Sequence, residues 1–276
     1  MAQLPNCYAK KSEDRMEGEN FWVIHKVDVP RSATVLPAVW QMRRKRDIKT
    51  GTIKKYKARL NIDGSRMQKG IHYDHSYAPV ASWNSIRLLL TMTAVHGWHT
   101  KQLYYVAAFP QASVERELYM KIPKGVSLKG KSSEAYVLKL HKNTYGQKNA
   151  GRVWNDYLVK KLIRIGFTQS QVDKCVFYKG RVMYALYTDD SILTGLYPKE
   201  IEKIMALMRK VKLDITEEGT LEDFLGVNID RKKDGRIHLT QPLLIDSILK
   251  DLNLLCPLVE AKKYTSLFIK NIKTAL

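Results

Sequence analysis

The chain has 276 residues, and 47 Lys plus Arg against 27 Asp plus Glu give it a formal charge of +20 at pH 7. With 45% apolar and 27% charged residues and only 15 Gly and 9 Pro, the composition excludes a disordered or fibrous polymer and predicts a folded core. Cys7, Cys175 and Cys256 form no CxxC pair, which excludes a disulfide framework and a zinc site and predicts reduced thiols. No apolar core follows a basic start at the N-terminus, and the longest apolar stretch, Leu88 to Val95, is far short of the roughly 20 residues that span a bilayer. A soluble intracellular protein, cytoplasmic or nuclear and without a membrane partner, is expected.

The length suits one large domain or two modest ones. No repeat, low-complexity tract or linker marks a boundary, so any subdomains are expected to be interwoven. Two strands are predicted around Val35 to Lys45 and Ile53 to Ile62, joined by a turn at Lys49-Thr50-Gly51. Ser85 to His96 reads as a helix capped by Asn84 or Ser85 and stopped by Gly97. Gln102 to Phe109 reads as a buried strand. A helix from about Arg152 to Ile165 repeats Val153, Trp154, Tyr157, Leu158, Leu162 and Ile165 at helical spacing before Gly166. Cys175 to Tyr178, Val182 to Thr188 and Ser191 to Thr194 read as a meander. Pro198 opens a helix to about Val211, Phe224 to Ile229 and Arg236 to Leu239 read as a hairpin about Asp234-Gly235, and a short helix runs from Pro242 to Leu252. The fold class is α+β, an antiparallel sheet backed by helices on one side, with the other face free for a ligand.

Two features carry chemistry. The first is a basic block in which Arg43, Arg44, Lys45, Arg46, Lys49, Lys54, Lys55, Lys57 and Arg59 are opposed only by Asp47. On a hairpin, alternate residues share a face, so this ribbon suits a phosphate backbone, although a solvated face or a localisation signal has the same composition. The second is Tyr187-Thr188-Asp189-Asp190 between two apolar strands. Two adjacent carboxylates repel, and they serve one site only where the strand bends. Mg²⁺ takes carboxylate oxygens and would relieve the repulsion, whereas the plain alternative is an acidic turn.

Tyr-x-Asp-Asp in this setting resembles the active-site hairpin of reverse transcriptases, and the surrounding sequence resembles the copia-type branch of LTR retrotransposons. The blocks that carry the resemblance, in order, are VLPAVWQMRRKR, YKARLNIDG, YAPVASWNSIRLLL, GWHTKQL, AAFPQA, ELYMKIPKGV, TYGQKNAGRVWN, LIRIGFTQSQVDKCVF, ALYTDD, FLGVNI and LTQPLLIDSIL. They run from about Asn20 to Leu255. The resemblance implies a right-hand polymerase with fingers and palm interleaved over 20–255 and the start of a thumb or connection near 242–255. Residues 1–19 are then a poorly ordered leading segment and 256–276 a divergent tail. It also implies templated addition of deoxynucleoside triphosphates to a primer on an RNA template, with the product or primer as a DNA duplex. Mg²⁺, or Mn²⁺ in its place, would be held by Asp189, Asp190 and a third aspartate. The ribonuclease H, integrase and protease segments of an intact element lie outside these residues, which suggests a decayed copy or a partial gene, with a non-catalytic RNA- or DNA-binding remnant, or a scaffold with no present function, as the alternatives to a polymerase.

The third aspartate is where the chain departs from the family. The block that resembles Gln-Leu-Asp before AAF reads Gln102-Leu103-Tyr104, so Tyr104 stands at the first catalytic position. A phenol titrates near 10 and is neutral at pH 7. Two dications facing two carboxylates carry +2 rather than +1, and a loss on the order of a thousandfold in polymerisation is expected. Glu115 and Glu117 lie too far along the chain to substitute. Lys57 and Arg59 resemble fingers residues that contact the incoming triphosphate, the plain alternative being a basic strand facing solvent, and Phe109 resembles the side chain that checks the sugar, the plain alternative being a core aromatic. Gln147, Lys148 and Asn149 fall in a block that usually reads Tyr-Gly-Leu-Lys-Gln and would line the template and nucleotide pocket. Arg43, Arg44, Lys45, Arg46, Lys54 and Lys55 are assigned to nucleic acid. Trp154 and Tyr157 read as core rather than as base-stacking platforms.

Overall fold

A computed structural model describes residues 20–46, 52–126, 128, 132–217, 219, 221–232 and 234–252. The leading 1–19, the turn at 49–51 and the tail 256–276 lie outside the described residues. The chain divides into two compact units, 1–220 and 221–276, at a point without linker composition.

The first unit is built on a six-stranded antiparallel sheet. Its strands are β5 (His99–Tyr105), β8 (Thr168–Gln169), β9 (Val176–Lys179), β10 (Val182–Tyr187), β11 (Asp190–Gly195) and β12 (Ile215–Glu217), in the order β12-β5-β11-β10-β9-β8. β11 is central, and Ser191 to Gly195 are all buried. The sheet is therefore not open along one whole face, as the sequence predicts. Part-exposed positions lie at strand ends, among them Tyr104, Tyr187 and Asp190. Helices α1 (Trp83–His96), α3 (Ala150–Arg164) and α4 (Pro198–Lys210) cover it with Ile86, Leu89 and Leu90, with Val153, Trp154, Leu158 and Leu162, and with Ile201, Ile204, Met205 and Met208. Each set recurs at three- and four-residue spacing, the apolar stripe of a helix on a core.

Helix α1 begins earlier than the sequence suggests. Ser82, not Asn84 or Ser85, is its N-cap: Ser82 Oγ accepts from Ser85 N at 3.1 Å. The cap is tied to the meander, because Ser82 N and Ser85 Oγ donate to Asp173 Oδ2 at 2.9 and 2.6 Å. Gly97 ends the helix at φ 63°, a left-handed conformation that favours glycine.

The strand expected to reach Phe109 stops at Tyr105. Pro110 has no N–H for a ladder, and Ala107, at φ 46°, turns the chain into the short helix α2 (Ala108–Gln111). Gln111 locks this turn, donating to Val106 O at 2.8 Å and Asp214 O at 2.9 Å and accepting from Asp214 N at 3.0 Å.

Of the strands in a second sheet of the first unit, only Val35–Leu36 falls within a predicted element. The sheet contains β1 (Phe21–His25), β2 (Val35–Leu36), β6 (Tyr119–Lys121) and β7 (Tyr136–Leu140), in the order β1-β7-β6-β2 with β2 and β6 parallel. Leu36, Ile62, Met67, Leu118, Met120, Leu138 and Leu140 form its buried core. The predicted strand from Val35 is thus split: Val35–Leu36 joins this sheet, and β3 (Ala38–Arg46) pairs with β4 (Ile53–Ile62) as a separate ribbon. Pro37 stands at the break. The ribbon meets the body where Ile62 N donates to Tyr145 O at 2.9 Å. Backbones cross so closely there that a Cβ on Gly64 would overlap the Gly146 carbonyl oxygen, and one on Gly146 the Ile62 carbonyl oxygen.

In the second unit, the predicted strand Phe224 to Ile229 is itself a hairpin. β13 (Asp223–Phe224) and β14 (Val227–Arg231) pair about Leu225 and Gly226, at φ 55° and 79°, the positive pair of a two-residue turn. β14 then pairs with β15 (Ile237–Thr240), and α5 (Pro242–Asp251) follows.

Candidate active site

The acid pair lies at the tip of the β10–β11 hairpin. Tyr187 pairs with Asp190, leaving Thr188 and Asp189 as a two-residue loop. That loop is strained and then fixed. Thr188, a β-branched residue, holds φ 55°, a conformation that costs on the order of 1 to 3 kcal/mol. Its carbonyl accepts from Trp154 Nε1 at 3.0 Å, and Asp189 O accepts from Tyr105 N at 3.0 Å. Trp154 is core, as its spacing predicts, and its indole N–H also positions the acidic tip.

Tyr104 sits directly across from Asp190 in the β5–β11 register. Burial, together with the charges of Asp189 and Asp190 and against the pull of Arg59, raises its phenol above the ordinary value, so it is neutral at pH 7. Burial also raises the Asp189 carboxyl, which Arg59 partly offsets. Asp189 Oδ1 is buried with no hydrogen-bond partner.

Arg59 comes to this tip from β4. Its guanidinium carbon lies 5.1 Å from the Tyr145 ring centroid and reaches the Tyr104 hydroxyl. Tyr145 in turn lies 5.0 Å, centroid to centroid, from Phe109 on α2. Burial, Asp189 and Tyr104 push the Tyr145 phenol up to about 12. Tyr145 is the residue that the motif reading passes over. Its signal is weak, an aromatic in the TYGQKN block just before the residues the resemblance singles out.

The other candidate residues are placed differently. Lys148 N and Nζ turn to Met67 Sδ and Met67 O at 3.4 and 3.3 Å, and the ammonium lies over Tyr73. Asn149 Nδ2 donates to Glu115 Oε2 at 3.3 Å, and Asn149 precedes α3 without a side-chain cap. Gln147 is buried with both amide atoms unpartnered. Glu115 pairs with Arg152, and Glu117 with Lys139 and Tyr119, so both acids are engaged away from the tip. On the ribbon, the register puts positions 43, 45, 55, 57 and 59 on one face, with Arg43 opposite Lys57 and Lys45 opposite Lys55. Arg43 and Arg44 are exposed. The side chains of Lys45, Arg46, Lys54, Lys55 and Lys57 lie outside the described residues.

An acidic hairpin tip at the end of the central strands of a helix-backed antiparallel sheet, with a basic ribbon in the same unit, is a polymerase arrangement. Residues 20–261 match the reverse transcriptase (RNA-dependent DNA polymerase) family, and the chain belongs to that family. It is 30% identical over 234 residues to the retrovirus-related Pol polyprotein from transposon TNT 1-94 of Nicotiana tabacum, covering 83% of this chain and 17% of that one. It is 32% identical over 216 residues to the Pol polyprotein from transposon RE2 of Arabidopsis thaliana, covering 77% and 14%. The kinship is with copia-type elements, and the chain spans under a fifth of the length of these relatives. A solved foamy viral protease-reverse transcriptase in complex with double-stranded DNA overlays 89% of this chain and 37% of that one, with a TM-score of 0.43 at 14% identity.

Reverse transcriptases use divalent metals. Here the fit is poor. The orphaned Asp189 Oδ1 suits a cation. The third arm, however, is the neutral Tyr104, and the cationic Arg59 already reaches it. Among the described residues, no three His, Cys, Asp or Glu side chains converge as a metal group. The residues present do not match a two-metal site.

Proposed function

We propose that this chain is a retrotransposon reverse transcriptase domain that retains affinity for RNA template and primer duplex while its polymerisation is crippled. The observation that carries the reading is the pairing of Tyr104 with Asp190, which puts an uncharged ring where a third carboxylate would complete the acid cluster. An acid cluster one charge short neutralises less of what develops on a transferring triphosphate, and each 1.36 kcal/mol lost is tenfold in rate.

Binding has separate support. Arg43 faces Lys57 and Lys45 faces Lys55 across the ribbon, and like charges directly opposite destabilise a strand pair unless an anion lies between them. A phosphate backbone supplies that anion. Arg43, Arg44, Lys45, Arg46, Lys54 and Lys55 would track it, with Lys57, Arg59 and Phe109 toward the nucleotide; Lys148 and Asn149 would have to leave Met67 and Glu115, and the buried Gln147 to turn outward, to join them. Asp189 and Asp190 are what remains of the catalytic set.

Primer extension on an RNA template, with Tyr104→Asp beside the unaltered chain, tests the reading. The variant should extend primers at least a hundredfold faster, a difference of about 2.7 kcal/mol. Equal rates would overturn it.

A further inference from the structure

The chain from Asn143 to Tyr145 is stitched to two elements at once. Just past α2, Asn143 N donates to Ala112 O at 2.9 Å, and Asn143 Nδ2 donates to Ala112 O at 3.1 Å and to Ser113 O at 2.9 Å. On β4, Leu60 O accepts from Thr144 Oγ1 at 3.2 Å, and Ile62 N donates to Tyr145 O at 2.9 Å. α2 carries Phe109 and β4 carries Arg59, so this short segment fixes one against the other. The side chains repeat the join. The Arg59 guanidinium carbon lies 5.1 Å from the centroid of the Tyr145 ring, and the Phe109 ring lies 5.0 Å from it at an interplanar angle of 43°. A cation within roughly 6 Å of a ring centroid and a second ring centred roughly 4.5 to 7 Å away are both attracted to it. A ring that only fills space is buried, as Tyr105 and Tyr184 are. Tyr145, Arg59 and Phe109 each keep part of their surface in solvent, where a ligand can meet them.

We propose that Tyr145 is a positioning residue of the nucleotide site, one ring that holds Arg59 and Phe109 at a fixed spacing so that the two meet a nucleoside triphosphate as a unit. The proposal rests on the reading that places Arg59 and Phe109 toward the nucleotide, and it goes a step further. A guanidinium suits the anionic triphosphate, since its fork of N–H donors matches phosphate oxygens. An aromatic ring braced by a second ring cannot withdraw to admit an added 2′-hydroxyl. Both contacts then depend on a side chain that need not touch the nucleotide, and its loss should disturb them together.

Equilibrium binding of 2′-deoxyadenosine triphosphate and of ATP to the full chain, on an RNA template offering uridine and a primer with a blocked 3′ end, tests the proposal. Tyr145→Leu, which keeps apolar bulk but has no ring, should weaken deoxynucleotide binding by roughly three- to tenfold and narrow the preference over ATP. Tyr145→Phe, which keeps the ring, should behave as the unaltered chain does, and Tyr178→Ala, at an exposed ring of β9, should change nothing. Arg59→Ala should weaken both nucleotides alike, and Phe109→Leu should narrow the preference. Combining Arg59→Ala with Tyr145→Leu should cost less than the product of the two separate losses, because they remove one shared contact. Affinity for the primer–template itself should not move in Tyr145→Leu, as it would in a chain that had merely loosened. If Tyr145→Leu does not melt cooperatively, Tyr145→Met takes its place with the same expected results. Full nucleotide affinity and preference in Tyr145→Leu, an equal loss in Tyr145→Phe, or losses that multiply in the double variant would each overturn the positioning role. The two readings fail separately. An unaffected Tyr145→Leu beside weakened Arg59→Ala and Phe109→Leu removes the role of Tyr145 alone, whereas no nucleotide binding, or no effect of Arg59→Ala and Phe109→Leu, removes the placement toward the nucleotide and the positioning role with it.

Discussion

Gln147 is buried with both ends of its amide unpartnered. A buried polar group without partners costs about 1 to 3 kcal/mol, whereas an apolar side chain of similar size there costs little. Gln147→Leu is therefore expected to raise the melting temperature by about 2 to 8 °C, read by calorimetry. The Trp154 indole is the opposite case, a polar atom in full use. Trp154→Phe keeps most of the ring but loses the 3.0 Å bond to Thr188 O, and it should lower stability by roughly 1 to 3 kcal/mol in denaturant unfolding. At this scale the acidic pair and Tyr104 were legible, because local chemistry and register fix them. Tyr145 was not, since its importance comes from packing between Phe109 and Arg59, residues 36 and 86 positions away, and no spacing rule reports that.

Elements with their own punctuation were legible, and those held by distant partners were not. Gly97, Gly166 and Pro198 bound helices that the structure places within a few residues of the predicted ends. β2 and β6 are two and three residues long; β2 is a strand because β6 runs parallel beside it, and β6 because it lies between β2 and β7. The start of α1 was misplaced for a related reason. Ser82 becomes the cap because Asp173, 91 residues on, accepts its N–H. Burial pushes the Asp173 carboxyl up, but hydrogen bonds from Ser85, Ser82 and Cys175 outweigh it and hold the group below the ordinary carboxylate range. A depressed folded pKa gives stability that is present above the unfolded value, near 4, and lost as pH falls through the folded one. Unfolding followed from pH 6 to pH 2 should show that loss, and Asp173→Asn should lessen it while weakening the protein at neutral pH.

For the molecule as a whole, charge sets the expected behaviour. The excess of basic residues means that RNA affinity should fall steeply with salt, with a log–log slope reduced by roughly 0.7 for each single-strand phosphate contact removed. Arg43→Ala with Arg44→Ala should weaken binding to unrelated RNA sequences alike and lower the slope by about 1 to 1.5, measured by filter binding across a salt series. Fold class and basic ribbon could be read from the chain because both are matters of composition and pattern. The division at 220 could not, as it is set by contacts within each unit and by no linker.

The glycine crossing beneath the ribbon has a mechanical consequence. Among the described residues β3 and β4 belong to no wider sheet, and the close passage of Gly64 and Gly146 would act as a fulcrum near one end. Arg59 lies three residues from Ile62 and Lys54 lies eight, roughly 10 and 26 Å at strand rise, so tilting the arm moves its tip about two and a half times as far as the guanidinium. On the proposed binding of nucleic acid, the outer part of the lever would follow a curved strand while Arg59 stays close to the aromatic ring on which it rests.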